Sequence, residues 1–205
     1  MLDKAQRRMT PEEFYAWQEA MDEKYELVDG YPVRRGREIE LMAGASKRHD
    51  RIVWNLIRAL GNQLAERSCH GFTSDTAVRT LKQTRRRPDV GIECGDRDDR
   101  SVEATDVRFV AEVLSPSTHE LDVFVKLDEY RAIQTMRYVL VVEPNEPLAM
   151  LWRRQGDGSW IQETAEGRDA RINLDELGIS LSLDEIYAGL TFRALPRLIG
   201  EQSDQ

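Results

Sequence analysis

The sequence predicts an α+β (α/β) protein in which a mixed β-sheet is flanked by helices. Apolar residues recur at helical spacing from Ser46 to about Arg67, which predicts a long amphipathic helix. The stretches 107–114 and 138–142 are instead continuous apolar runs of strand length. Because such runs are interspersed with helical segments along the chain, helices packed against one sheet are the expected arrangement.

The N-terminal part is predicted to contain a helix, a hairpin and then the long helix. Residues 10–13 are typical of a helix start, since the threonine can cap, proline suits the first helical position and the second glutamate completes a capping box. Asp29-Gly30 predicts a tight hairpin turn between two short strands, and Glu26 lies on the first of them. Ser46 is placed to cap the long helix.

The remaining elements are predicted mostly as strands. They lie at about 72–80, 88–94, 107–114, 138–142 and 148–152, with a helix at 118–133. The 107–114 run is apolar on both faces, as expected in the interior of a sheet. We expect a single domain at 1–199, because a chain of 205 residues can bury a substantial core, and a disordered tail at 200–205.

Composition limits the function classes. No apolar run approaches the roughly 18 residues that cross a bilayer, and the N-terminus has no apolar signal core. Cys69 and Cys94 form no Cys-x-x-Cys pair, so we expect a reducing, cytoplasmic location. The formal charge of −8 disfavours tight nonspecific nucleic-acid binding, so any contact with DNA is expected to be local.

Two acidic residues stand on strand-like runs. Asp89 follows Pro88 directly, and Glu112 comes 23 residues later. If their strands are neighbours, the carboxylates could lie about 4 Å apart and repel by roughly 4 kcal/mol at an effective dielectric near 20. Either a proton or a cation must offset this repulsion, and hard oxygen ligands suit Mg²⁺ or Mn²⁺. The alternative is a pair of strand-end acids that face solvent.

A basic run lies directly before the first acid. Arg85, Arg86 and Arg87 end the densest of several basic clusters, and they are candidate DNA contacts. The alternative is a solvated loop.

The helix after Glu112 carries polar residues among many apolar ones. Asp122, Lys126 and Glu129 form a stripe at i, i+4 and i+7. A solvated ridge is one interpretation, because an Asp-to-Lys pair at this spacing contributes only about 0.2–0.5 kcal/mol at a surface. The other directs Lys126 at the carboxylates, where it would orient an attacking water and neutralise charge on a phosphate.

Other chemistries lack their motifs. The chain contains no Gly-x-x-x-x-Gly-Lys loop, no Gly-x-Gly-x-x-Gly and no Gly-x-Ser-x-Gly elbow. The three histidines lack zinc-ligand spacing. His49 lies on the inward face of its helix, which suits a histidine at the edge of the core, with an auxiliary role at the site as the alternative.

Several segments together resemble the "putative restriction endonuclease" family of the PD-(D/E)XK nuclease superfamily. The matching segments are 25–30, 42–46 with His49, 87–90, 111–118, Asp122 with Lys126 and Tyr130, and 181–187. The resemblance implies a restriction-endonuclease-like core in which Asp89 and Glu112 bind Mg²⁺, with Mn²⁺ as a possible substitute. It also implies a contribution from Glu26.

One position departs from the superfamily pattern. The signature lysine is expected two residues after the second acid, where this chain has Leu114. We therefore interpret Lys126 as its displaced replacement. The resemblance implies a Mg²⁺-dependent endonuclease acting on DNA, and a homodimer is expected because enzymes that cut both strands often act as symmetric pairs. The alternatives are a catalytically silent DNA-binding or scaffold protein and a nuclease acting on RNA or branched DNA.

Overall fold

The structure, a computed structural model, describes residues 7–34, 46–64, 68–96, 98–114 and 120–192, with only the backbone for 120–122. The helices are α1 Pro11–Gln18, α2 Lys47–Leu64, α3 Glu120–Ala132 and the short α4 Leu183–Ile186, with one 3-10 turn at Asp175–Leu177. The strands are β1 Tyr25–Val28, β2 Tyr31–Arg34, β3 Cys69–Thr73, β4 Ala77–Leu81, β5 Thr84–Arg86, β6 Val90–Cys94, β7 Glu103–Ala104, β8 Val107–Val113, β9 Tyr138–Glu143, β10 Leu148–Arg154, β11 Trp160–Glu166, β12 Arg171–Leu174 and β13 Ile179–Ser182.

The largest sheet is mixed and has six strands in the order β11-β10-β9-β8-β6-β3. Strands β8 and β9 are parallel, and α3 lies between them in the chain, as parallel neighbours require a crossover. The other pairs in this sheet are antiparallel. The strand carrying Glu112 is therefore interior, which confirms the prediction from its apolar pattern.

Helices cover the two faces of this sheet. One core joins α2 residues such as Ile52 and Leu56 to Phe109 and Ala111 of β8. The second core joins α3, including Tyr130, to the β8 and β9 residues that point the other way. The fold class is thus confirmed as a mixed sheet flanked by helices. The prediction of one domain at 1–199 is not tested, and its tail lies outside the described residues.

A five-stranded sheet, β2-β1-β5-β4-β7, positions the N-terminal hairpin. Thr10 caps α1 and shares a capping box with Glu13, as the sequence predicts. Asp29 and Gly30 have φ values of 49° and 85°, which is the backbone conformation of a type I′ hairpin turn. Because this turn pairs β1 with β2, it fixes the strand on which Glu26 lies.

Two details of the sheets differ from the sequence prediction. The predicted strand at 72–80 is two strands, β3 and β4, joined by a turn in which Thr76 N donates to Thr73 O at 3.0 Å. Two residues of the basic run expected as a loop or DNA contact, Arg85 and Arg86, instead belong to β5, a short strand whose three residues are all buried.

The two cysteines lie opposite each other. Cys69 of β3 is the register partner of Cys94 in β6, and the two form a disulfide. Disulfides persist mainly in oxidising compartments. Cysteine usage therefore does not support the cytoplasmic location, which stays a prediction. Among the described residues, no helix is both long enough and apolar enough to cross a membrane.

Candidate active site

Asp89 and Glu112 come together across the β6–β8 pair. Val90 is the register partner of Ala111, so extending this antiparallel register by one residue places Asp89 opposite Glu112. Residues opposite one another in an antiparallel pair point to the same face of the sheet. Both side chains are buried, with 6% and 8% exposed. Strand β6, which begins directly after Asp89, is the neighbour of β8, which carries Glu112, so the expected adjacency of the two strands is confirmed. The alternative of acids facing solvent does not fit.

Each of these carboxylates is held by a donor from the surrounding fold. The Asp89 Oδ2 atom accepts a hydrogen bond from the backbone N–H of Val113 at 2.8 Å. The same oxygen lies 3.2 Å from Nε2 of His49, in the first turn of α2. The Glu112 Oε1 atom accepts from the hydroxyl of Tyr130 in α3 at 2.8 Å. Both acids are therefore oriented by groups from other elements.

Tyr130 lies completely buried between acidic groups. Burial raises the pKa of its hydroxyl well above the usual value, and the charges of Glu112 and Glu26 raise it further. The hydroxyl therefore stays protonated and can always donate to Glu112. Because both glutamates act on one hydroxyl, the N-terminal hairpin and β8 meet at this point.

We expect Tyr130→Phe to change how stability depends on pH. An unfolded tyrosine ionises near pH 10, whereas Tyr130 in the folded protein keeps its proton to higher pH. Its contribution to stability is therefore complete below about pH 10 and is lost as the pH rises above that value. Urea denaturation at a series of alkaline pH values should show that the variant loses stability less steeply, by up to about 1.4 kcal/mol per pH unit. Parallel curves for the two proteins would contradict a buried, protonated Tyr130.

A buried network of ion pairs adjoins the two acids. Oε2 of Glu26 lies 3.1 Å from Nη1 of Arg86, and Oε1 accepts from the backbone N–H of Arg87 at 3.0 Å. The Lys126 Nζ atom lies 3.5 Å from Oε1 of Glu26. Glu129, three residues after Lys126, binds Arg86 through two hydrogen bonds of 2.8 and 2.6 Å. The order of charges is thus Lys126, Glu26, Arg86, Glu129.

Arg86 is the centre of that network. Burial opposes its charged form, but the hydrogen bonds that it donates to Glu129 and the charge of Glu26 outweigh burial and raise the pKa of the guanidinium. A buried charge persists only when it is paired and hydrogen-bonded, and both conditions hold here. The guanidinium therefore fixes Glu26, which in turn contacts Lys126.

The placement of the three arginines corrects the expectation that they contact DNA. Arg85, Arg86 and Arg87 are only 5%, 4% and 6% exposed. Arg85 donates to Glu103 at 2.5 Å, and Arg87 donates to backbone carbonyls that include Tyr25 O at 3.0 Å. Guanidinium groups used inside the fold are not presented to a phosphate backbone, so this run has a structural role.

Helix α3 also differs from the expected pattern. Lys126 is buried at 8% exposed, whereas the apolar Phe124 and Val125 are exposed. The solvated ridge does not fit, because Lys126 is buried and its Nζ lies 3.5 Å from Oε1 of Glu26. That Lys126 is directed at Asp89 and Glu112 stays a prediction. The side chain of Asp122 lies outside the described residues, so its auxiliary role stays untested. Leu114 packs against the apolar core on the α3 side, and its N–H donates to Val142 O at 2.9 Å.

The donor set fits a divalent cation that also takes water and phosphate ligands. Among the described residues, no three His, Cys, Asp or Glu side chains are gathered as a metal cage. Mg²⁺ is commonly bound through only one or two carboxylates plus substrate phosphates, and Asp89 with Glu112 supply two. The carboxylates of Glu26, Asp89, Glu112 and Glu129 face two cations, Arg86 and Lys126, so these six side chains carry a formal charge of −2. A divalent cation would neutralise that charge.

Sequence analysis did not identify Arg86 as part of the centre. Glu129 could be linked to Lys126 by spacing, because residues three apart are neighbours on a helix. No local signal links Arg86 to its partners, which lie 43 and 60 residues away in the chain. The sequence therefore reveals the basic run but not its burial.

A mixed sheet with one buried acid on β8, a second directly before the neighbouring strand β6 and a buried lysine on the following helix is typical of a restriction-endonuclease-like protein. The fold is similar to the crystal structure of a putative nuclease belonging to DUF820 from Anabaena variabilis, with a TM-score of 0.63. That similarity covers 87% of this chain and 97% of the other at 16% sequence identity.

The chain belongs to the Uma2 family, described as "putative restriction endonuclease", whose sequence model matches residues 11–184. Two relatives come from Synechocystis sp. (strain PCC 6803). The uncharacterized protein slr1290 is 32% identical over 187 residues, which cover 90% of this chain and 94% of the relative. The uncharacterized protein sll1609 is 27% identical over 175 residues, which cover 83% and 95%.

Proposed function

We propose that this protein is a metal-dependent endonuclease that hydrolyses DNA phosphodiester bonds. The observation that carries the proposal is the pair of buried carboxylates, Asp89 and Glu112, which the strand register sets opposite each other. The buried Lys126 on α3 supports it. Membership of a family described as "putative restriction endonuclease" supports the same reaction class.

The residues of the centre divide the chemistry between them. Asp89 and Glu112 would hold Mg²⁺ or Mn²⁺, which when bound lowers the pKa of a coordinated water and polarises the phosphate. Lys126 would orient the attacking water and stabilise negative charge on the phosphate oxygens. The water oxygen forms a bond to phosphorus as the bond from phosphorus to one ester oxygen breaks in line. The attacking water gives a proton to solvent, and the leaving oxygen takes a proton from solvent.

The other residues position these groups. Glu129 holds Arg86, Arg86 holds Glu26, and Glu26 holds the ammonium group of Lys126. Tyr130 and the Val113 N–H orient one oxygen each of Glu112 and Asp89. His49 contacts Asp89, and we assign it the same positioning role. An ordered centre of this kind reduces the reorganisation needed at the moment of reaction.

Metal removal tests the proposal directly. We expect supercoiled plasmid to be nicked with Mg²⁺ or Mn²⁺ at low salt, where weak phosphate binding still operates, and to remain intact with EDTA. Calorimetric titration of Mn²⁺ should show binding that Asp89→Ala removes. Cleavage that survives EDTA would exclude the metal mechanism. A folded protein that neither binds metal nor nicks DNA would instead support the alternative of a catalytically silent DNA-binding or scaffold protein. The expected homodimer can be checked by light scattering of the same sample.

Lys126→Met should reduce nicking by at least about a hundredfold, roughly 2.7 kcal/mol of barrier, with metal binding retained. Methionine keeps most of the side-chain volume, and Glu26 keeps its pair with Arg86. The measurement is the nicking rate at saturating Mg²⁺. Lys82→Met is the matched control, because it removes the charge of an exposed lysine. Equal rates for Lys126→Met and the unaltered protein would remove Lys126 from the mechanism.

A further inference from the structure

The outward face of α2 combines cations with an exposed tryptophan. Lys47, Arg51, Trp54 and Arg58 follow one another at spacings of four, three and four residues, so they lie along one side of the helix. All four side chains are exposed, and 60% of Trp54 is accessible to solvent. The apolar residues of the same helix face the core instead. We refer to these four residues as the α2 outer face.

The charge of this face is opposite to that of the whole chain. Helix α2 contains four cations and one acid, Asp50, whereas the chain has a formal charge of −8. Within the described part of the chain, Lys47, Arg51 and Arg58 make no hydrogen bond or ion pair. The charge of Arg58 helps to lower the pKa of Glu185, after the hydrogen bonds from Ser182 and the charge of Arg171. A local group of cations that form no ion pair among the described residues of an acidic protein indicates a polyanionic partner.

We propose that the α2 outer face binds the backbone of a single-stranded nucleic acid and stacks one of its bases on Trp54. The three cations extend about 16 Å along the helix, enough to contact successive phosphates of one strand. An exposed indole between cations is a stacking platform for a base. Stacking requires an unpaired base, because the bases of a duplex already stack on each other, so the face is selective for single strands.

A lipid surface fits this face less well. Helices that lie on membranes insert a broad apolar side into the lipid, but the apolar side of α2 is buried against the sheet through Ile52, Leu56 and Leu60. The outer face offers a single aromatic residue. Phosphate recognition with stacking uses all four of its side chains.

The same helix connects this surface to the candidate centre. Lys47 lies two residues before His49, whose Nε2 is 3.2 Å from Asp89. A strand held on the α2 outer face thus passes the end of the helix that contacts the centre. The inference that this strand is the substrate rests on the proposed nuclease function, but binding to the face does not require cleavage.

Fluorescence anisotropy of a short labelled single-stranded oligonucleotide, at low salt with EDTA, tests the proposal. We expect Trp54→Ala to raise Kd on the order of tenfold, the loss of one stacked base. Arg51→Glu with Arg58→Glu should weaken binding further and reduce the slope of log K against log salt by about 1.4, since each single-strand phosphate contact contributes about 0.7. Duplex of the same sequence should bind more weakly and be unaffected by Trp54→Ala.

Matched variants control for exposure and charge. Phe124→Ala removes another exposed aromatic residue, and Lys82→Glu with Arg100→Glu makes the same change in net charge at exposed positions outside α2. Both should bind the oligonucleotide as the unaltered protein does. Equal losses in variant and control, equal affinity for duplex and single strand, or binding only to vesicles of anionic lipid would each overturn the proposal. Nicking without oligonucleotide binding would contradict only the proposed role of the α2 outer face. Oligonucleotide binding without nicking would contradict only the proposed nuclease function.

Discussion

Replacing Asp89 by asparagine should abolish metal-dependent cleavage, a loss of at least about a thousandfold or roughly 4 kcal/mol of barrier, while the protein remains folded. Asparagine retains an oxygen that can accept from the Val113 N–H, so the local backbone contact survives. What disappears is one of the two carboxylate charges that would hold the cation. Glu112→Gln should have the same effect, because its amide oxygen can still accept from Tyr130.

A thermal melt distinguishes loss of cleavage in a folded Asp89→Asn variant from loss of cleavage through unfolding. Removing one of two neighbouring negative charges relieves repulsion, so Tm of Asp89→Asn should not fall below that of the unaltered protein. The assay is plasmid nicking alongside a thermal melt, with Asp128→Asn as the control, since its side chain is 80% exposed on α3. Loss of the folded state in Asp89→Asn would favour a structural role for this acid, and nicking at the normal rate would place the centre elsewhere.

Arg86→Met should produce the largest loss of stability, about 3–5 kcal/mol. The change leaves Glu26 without its 3.1 Å partner and removes both hydrogen bonds made to Glu129. Breaking one side of a buried ion pair is costly because the remaining charge is left uncompensated in the interior. Urea denaturation monitored by fluorescence measures the difference in free energy of unfolding.

A second substitution tests that explanation. Adding Glu129→Gln to Arg86→Met removes one of the stranded charges, so the double variant should be more stable than Arg86→Met alone, a coupling expected of residues in one network. Arg79→Met, at an exposed position on β4, should stay within about 0.5 kcal/mol of the unaltered protein. A small effect of Arg86→Met, equal to that of Arg79→Met, would show that the network does not stabilise the fold.

The local elements were predictable because their signals lie close together in the chain. The capping box of α1, the Asp29-Gly30 turn and the Ser46 cap of α2, which accepts from His49 N at 3.2 Å, all involve residues within three positions of one another. The interior position of β8 followed from its apolar residues on both faces. The predicted strand at 72–80 was wrong in extent, because its turn at 74–76 lies within the run and divides it.

The acids of the candidate centre were also visible in the sequence. Asp89 and Glu112 were identified from strand-like runs, and the β6–β8 register then placed them opposite each other. The basic run was interpreted wrongly because arginine is usually exposed and sequence does not show when an acid pairs with it. The carboxylates that pair with Arg85 and Arg86 lie on β1, α3 and β7, and only the tertiary structure brings these elements together.

The sequence by itself determined the fold class, most of the helices and strands, and the two acids with Lys126 as candidates, because periodicity, caps and turns are properties of neighbouring residues. Only the tertiary structure decided which charges are buried together. His49 reaches Asp89, Lys126 reaches Glu26 and Arg86 reaches Glu129 from separate elements. The same side chains carry the same formal charge on a surface or in the interior, so only their three-dimensional neighbours determine whether they bind solvent, stabilise the fold or form a site.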